Sequence, residues 1–185
     1  PINVGTSVDY MWGKSTNQVS VIETDARIPM KHVLSQFVVR LKVSPEYHND
    51  GNLTSAKLKA TASKFATTGT MNLNDGGKIT FQPTSTELTW SPNTTVPAQG
   101  QQAVDYAAAI YPMALAAGEV SLEVVIDGAT YTYAIPQITW EAGKRYIYSI
   151  TMRSNDAEIG GENGQSVTIE GWTSTEEDIT LVPVK

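Results

Sequence analysis

Hydrophobic positions in this chain recur at every second residue. Phe37, Val39, Leu41 and Val43 alternate with Val38, Arg40 and Lys42, which predicts a strand with one face buried and the other in solvent. Ala56, Leu58, Ala60 and Ala62 alternate with Lys57, Lys59 and Thr61 in the same way. Leu122, Val124 and Ile126 face one way, Asp127-Gly128 follows, and the pattern resumes with Tyr131, Tyr133 and Ile135. Asp-Gly between alternating runs predicts a tight hairpin, because both central residues of a type I′ turn need positive φ. Tyr146, Tyr148, Ile150 and Met152 predict a long strand with Arg145 and Arg153 on its other face. Val167 with Ile169, and Ile179 with Leu181, supply two more.

Turn chemistry punctuates these runs. Asn49-Asp50-Gly51, Asn74-Asp75-Gly76-Gly77 and Gly160-Gly161-Glu162-Asn163-Gly164 tolerate left-handed backbone and stop sheet pairing. Only Met30 to Gln36 and Ala103 to Ala117 could be helical, and Pro112 would break the second, so at most a short turn is expected in each. Many short strands with Gly-rich turns bury their faces best by stacking sheet on sheet, so the fold class is all-β. The Pro-rich segment 82–102 reads as a linker, which predicts two lobes, 1–92 and 93–185, with a boundary near Pro92. One continuous sandwich is the alternative.

Composition narrows the functional classes. With 185 residues, no cysteine and a net charge of −6, the chain can bury a sizeable core but can form neither disulfides nor thiolate metal sites. The acidic balance argues against a nucleic-acid groove or an anionic membrane surface, which need dense Lys and Arg. No apolar run approaches the ~20 residues of a membrane helix. The chain opens Pro1-Ile2-Asn3, as expected of a protein whose leader has been removed or whose sequence begins inside a longer gene. Loops rich in Thr, Ser, Asn and Gly point to an exported β protein.

Candidate chemistry is sparse. His32 and His48 are the whole imidazole supply, no Gly-x-Ser-x-Gly elbow occurs, and a hydrolytic triad has nothing to support it. Asp156, Glu158 and Glu162 share one loop, and Glu176-Glu177-Asp178 precedes the last strand, but the Asp-x-Asp-x-Asp-Gly spacing of a calcium loop is missing. Solvated acidic loops are the simpler reading, so no metal and no cofactor is expected. Most aromatics fall on alternating strand positions, the pattern of core residues. Trp12 and Trp90 remain as the candidate exposed aromatics.

Several segments, in this order, resemble the fimbrillin family, the pilin and pilus-tip subunits of protease-processed fimbriae. Asp9-Tyr10-Met11-Trp12-Gly13 resembles the family's Asp-Leu-Leu-Tyr-Ala element. Met30-Lys31-His32-Val33-Leu34-Ser35-Gln36, leading into Phe37-Val38-Val39-Arg40-Leu41-Lys42-Val43, is similar to its His-x-Leu-Ser lead-in to a long strand. Ala109-Ile110-Tyr111-Pro112, Tyr131-Thr132-Tyr133, Ala142-Gly143-Lys144-Arg145-Tyr146-Ile147-Tyr148 and Ile169-Glu170-Gly171-Trp172 continue the pattern.

The resemblance implies two tandem transthyretin-like β-sandwich domains, export as a lipoprotein to the outer membrane and cell surface, proteolytic processing and assembly by strand exchange. The family carries more strands before its Asp-Leu-Leu-Tyr-Ala element than the eight residues here, so the first lobe is expected to lack its first strands. Its open edge would form a partner-strand groove lined by Phe37, Val39 and Leu41. Ile179, Leu181, Val182 and Val184 form the candidate donor strand, with the last strand of the chain's own sandwich as the alternative. The expected function is a non-enzymatic structural or tip/adhesin subunit of cell-surface fimbriae. Its expected partners are other pilin subunits and a host protein or glycan receptor, and the competing reading is a surface carbohydrate-binding module.

Overall fold

A computed structural model describes residues 1–5, 8–16, 25–45, 47–90, 94–95, 104–152, 157–159, 168–171 and 178–180, and these residues form strands and turns only. In the first half the strands are β1 (Ile2–Asn3), β2 (Met11–Gly13), β3 (Asp25–Arg27), β4 (Met30–His32), β5 (Ser35–Val43), β6 (Asn52–Ala60), β7 (Thr68–Asn72), β8 (Lys78–Thr80) and β9 (Glu87–Trp90). In the second half they are β10 (Thr94–Thr95), β11 (Val104–Ile110), β12 (Met113–Leu115), β13 (Val120–Ile126), β14 (Ala129–Ala134) and β15 (Ile138–Trp140), then β16 (Lys144–Met152), β17 (Ala157–Ile159), β18 (Thr168–Gly171) and β19 (Asp178–Thr180).

Two large sheets carry the architecture. In one, β5 lies between β11, antiparallel, and β16, parallel, while β17 and β18 share the far edge of β16. In the other, β6 lies between β13 and an edge made by β9 and β10, and β14 closes the far side of β13. Smaller pairings, β1 with β7 and β8, β2 with β4, β12 with β15 and β3 with β19, flank them. Both large sheets therefore mix strands from either side of the Pro-rich segment. A division at residue 92 would cut hydrogen-bonded ladders in both, so it does not separate two lobes; residues 91–93 themselves lie outside the described set.

The inward faces follow the period-two pattern. Phe37, Val39 and Leu41 of β5 are fully buried, as are Tyr148, Ile150 and Met152 of β16, Leu58 of β6, and Leu122, Val124 and Ile126 of β13. Phe37 stacks on Tyr148 at a centroid distance of 4.5 Å and meets Trp140 and Trp90 edge-on at 5.6 and 5.7 Å. Rings at these separations add to the burial term, because the positive edge of one meets the negative face of another. On the opposite face of β6, Lys59 pairs with Glu123 at 2.6 Å and Lys57 with Glu87 at 3.2 Å, the cross-strand arrangement expected of a solvated side.

Four departures from strict alternation have physical causes. Val38, expected in solvent, is fully buried beside Ile147, its register partner, so the parallel β5–β16 pair is covered on both faces as parallel pairs usually are. A register shift where β13 meets β6 pairs Ile126 with Leu53, so Leu53 and Ala56, three residues apart, both point inward. At the other end β6 stops at Ala60, and Ala62 is exposed beyond it. The alanine-rich stretch expected as a turn is strand β11 instead, because seven consecutive pairings with β5 override alanine's helical preference.

Truncating Phe37 to Ala removes the ring that three others contact. The expected loss is about 3–5 kcal/mol of unfolding free energy, measured by guanidinium denaturation followed by tryptophan fluorescence. Val43→Ala, at the partly buried end of the same strand, should cost well under half as much.

Candidate functional site

Among the described residues strand β14 is an edge, pairing with β13 alone, from Ala134 opposite Ser121 to Ala129 opposite Ile126. A two-residue turn closes on a hydrogen-bonded pair, and pair types then alternate along an antiparallel ladder. Ala129, Tyr131 and Tyr133 thus bond to β13, while Thr130, Thr132 and Ala134 turn their N–H and C=O groups outward. Nothing in Ala129–Ala134 is charged and none is proline, so the usual protections of an exposed edge are missing. Two other edge strands of the large sheets differ: β11 carries Asp105, held by Arg40 at 2.6 Å and Arg145 at 3.3 Å, and β9 carries Glu87.

The turn that presents this edge is pinned. Asp127 adopts φ 49° and Gly128 φ 80°, as the sequence predicts for a type I′ turn. The Asp127 carboxylate accepts hydrogen bonds from the Tyr47 hydroxyl, from the Gly51 amide at 2.9 Å and from the Asn52 amide at 2.8 Å. Burial acts to raise the Asp127 pKa, but these three donors outweigh it and hold the carboxyl below its ordinary value of 3.8. Burial, and after it the Asp127 carboxylate, pushes Tyr47 up to about 12. Sequence reasoning located the turn and missed the anchor, because the donors come from a loop more than seventy residues away.

A cleft of about 640 Å³ opens elsewhere, between β4, the β7–β8 hairpin and the 142–143 turn. Val33, Ile79, Phe81 and Pro112 form its apolar floor, and Lys31 and Lys78 lie on its lining. His32, buried on its lining, has Nδ1 2.8 Å from Asp9 Oδ2, so this imidazole is engaged by a neighbouring side chain. The hairpin tip packs on Trp12: the indole N–H donates to the Leu73 carbonyl at 2.9 Å, and a Cβ at Gly77 would stand 2.6 Å from Trp12 Cβ. Only glycine, here with φ 76°, fits that approach.

The structure places the residues singled out by sequence as follows. Phe37, Val39 and Leu41 do not line an open groove, since they are fully buried and β5 has a strand on both edges. Trp12 and Trp90 are half-buried rather than exposed: Trp12 is clamped by the hairpin tip, and Trp90 packs edge-on against Phe37. Ile179 lies in β19, which pairs with β3 of the same chain; Leu181, Val182 and Val184 lie outside the described residues. Asp156 and Glu162 also lie outside them. Among the described residues, no group of three or more His, Asp or Glu side chains could hold a metal ion, and no helix is long and apolar enough to cross a membrane.

The low carboxyl pKa values set a pH dependence. Asp105 is also held below 3.8, chiefly by the hydrogen bond from Arg40 and against burial. A folded value below the unfolded one gives stability that is complete above the unfolded value and is lost as pH falls through the folded value. Unfolding free energy should therefore be flat from about pH 7 to 5 and decline below about pH 4. Asp127→Asn keeps a residue that tolerates left-handed backbone and should cost about 1 kcal/mol at pH 7, the low end for a charged acceptor because this carboxylate is solvent-accessible. The difference from the unmodified protein should shrink on acidification in urea titrations, and a constant difference would contradict the anchor.

Comparison with solved structures finds the same fold. A candidate cell adhesion protein from Bacteroides ovatus aligns over 92% of this chain and 63% of its own, with TM-score 0.55 and 18% identity. A second from Bacteroides uniformis aligns over 89% and 66%, with TM-score 0.55 and 17% identity. A fimbrial protein from Bacteroides vulgatus aligns over 79% and 56%, with TM-score 0.50 and 17% identity. The chain thus spans less than two thirds of the length of each. No curated protein matches it. The fimbrillin-like family model matches residues 4–172, nearly the whole β framework described above, and the chain belongs to the fimbrillin-like family.

Proposed function

We propose that this chain is a structural or adhesive subunit of a cell-surface fimbrium, joined to its neighbours by addition of a β-strand along β14. The family match over residues 4–172 supports the fimbrial role. The uncharged, proline-free edge of β14 supports the mode of assembly, because an incoming strand satisfies the outward N–H and C=O groups of Thr130, Thr132 and Ala134 in one ladder. The donor is an uncharged alternating segment of another subunit, and Ile179-Thr180-Leu181-Val182-Pro183-Val184 of a second copy is the candidate that the sequence offers, which requires Ile179 and Thr180 to leave their pairing with β3 of their own chain. Such a role is structural and needs no catalytic group. Export by a lipid-modified leader and display at the outer membrane complete the proposal, with a host protein or glycan as the eventual receptor.

The test is assembly in solution. The purified chain, incubated and examined by size-exclusion chromatography with light scattering and by negative-stain microscopy, should give a ladder of multimers and short rods. Thr132→Pro removes one outward N–H without touching the β13 ladder, and Thr132→Lys charges the same edge. Both variants should stay monomeric with an unchanged near-ultraviolet circular dichroism spectrum. An undiminished ladder from both variants, or no ladder from the unmodified chain, overturns the proposal.

A further inference from the structure

The cleft beside β4 is independent of the β14 edge and has a chemistry of its own. Its volume of about 640 Å³ lies in the range of sites that hold a ligand, and its walls are preformed. The carbonyl of Asn72 accepts the amides of Asp75 and Gly77, the Asn72 side chain accepts the amide of Asn74 at 3.0 Å, and the whole turn is seated on Trp12. The cleft therefore needs little reorganisation to receive a ligand.

Charge defines the ligand. Lys31 has no carboxylate partner among the described residues; its ammonium lies 5.0 Å from the centroid of the Trp12 ring. Lys78 is largely exposed and stands 4.0 Å from Asp75, a loose contact. Two lysines against one aspartate leave a positive surplus here, in a chain whose net charge is −6. The floor of Val33, Ile79, Phe81 and Pro112 presents no hydrogen-bonding side-chain atom. A sugar would find hydrogen-bonding side chains only at Lys31, His32, Asp75 and Lys78, since the lining has no Ser, Thr, Asn, Gln or Tyr, and any hydroxyl turned to the apolar floor would be unpaired. A peptide carrying an apolar side chain between carboxylates matches both the floor and the rim.

We propose that the cleft lined by Lys31, Lys78, Val33, Ile79, Phe81 and Pro112 is a docking site for an acidic, hydrophobic peptide segment of a partner protein. The apolar side chain of the segment rests on the floor, and its carboxylates meet Lys31 and Lys78. The surplus charge makes the attraction sensitive to salt, because both lysines are at the surface.

The probe is a fluorescein-labelled peptide of sequence Glu-Leu-Glu-Phe-Glu, titrated into the intact chain and read by fluorescence anisotropy. Saturable binding is expected that weakens as sodium chloride rises from about 50 to 500 mM. The Gln-Leu-Gln-Phe-Gln counterpart and tri-galacturonic acid should bind at least about tenfold more weakly, and the double variant Lys31→Ala, Lys78→Ala should lose about tenfold, the combined effect of two exposed ion pairs. Asp75→Asn removes the opposing carboxylate and should tighten binding. Equal binding of the Gln peptide, preference for the acidic sugar, no binding, or an unaffected double variant with an unchanged melting curve each overturns the proposal. Thr132→Pro should leave this binding intact, so failure here is distinguishable from failure of strand addition.

Discussion

The parallel pairing of β5 with β16 is the constraint on which the molecule depends. Its register sets Tyr146 beside Phe37 and Tyr148 beside Val39, and Phe37 ends up stacked on Tyr148. Because Trp90 reaches Phe37 from the β6 sheet, the same ring also ties one sheet to the other. A parallel pair cannot be closed by a tight turn, so it joins segments about a hundred residues apart and rewards a long excursion of chain with one contiguous core. β6 and β13 then close over that core with Leu58 and Leu122, which are fully buried and directly opposite each other.

Polar groups inside this core are handled unevenly. The Tyr146 hydroxyl donates to the Thr139 carbonyl at 2.7 Å and accepts the Glu141 amide at 2.8 Å, which ties β16 to the segment that follows β15. The Trp140 indole N–H reaches the Tyr148 hydroxyl at 3.4 Å, and burial pushes that phenol up. Asp127 does for the β13–β14 turn what Tyr146 does for β16. In each case one side chain satisfies backbone groups outside its own strand: Asp127 reaches a segment more than seventy residues away, and Tyr146 reaches the end of β15 only five to seven residues away.

The alternating pattern made the long strands β5, β6, β13, β14 and β16 legible, together with the Asp127-Gly128 turn, because side-chain period and turn chemistry are local properties. Pairing was not legible. Nothing in the sequence of β5 says that its neighbours are β11 and β16, so Phe37, Val39 and Leu41 could be read as lining an open groove although both edges of their strand are taken. The Pro-rich segment read as a boundary between lobes for the same reason: composition marks where a chain leaves a sheet, not which sheet it returns to. Trp90 looked exposed because its neighbours in sequence are polar, while in space its neighbour is Phe37. The cleft was beyond sequence altogether, since its lining comes from four separated stretches.

An unprotected edge on an acidic protein carries a physical implication. Subunits of net charge −6 repel one another at long range, and that repulsion fades within about 8 Å at physiological ionic strength. Association must then be carried by groups that act only at contact, which backbone hydrogen bonds do. A strand bearing Asp or Glu at that edge would hold the repulsion where it is least screened, and one bearing Lys or Pro would refuse the partner. β14 has none of these, whereas β11 keeps Asp105 between two arginines and also has its Ala109 carbonyl occupied by the Gly5 amide at 2.8 Å. If strands add as proposed above, β14 would be the accepting edge of its sheet while β11, the edge of the other large sheet, is closed by these contacts, and that difference would make addition directional.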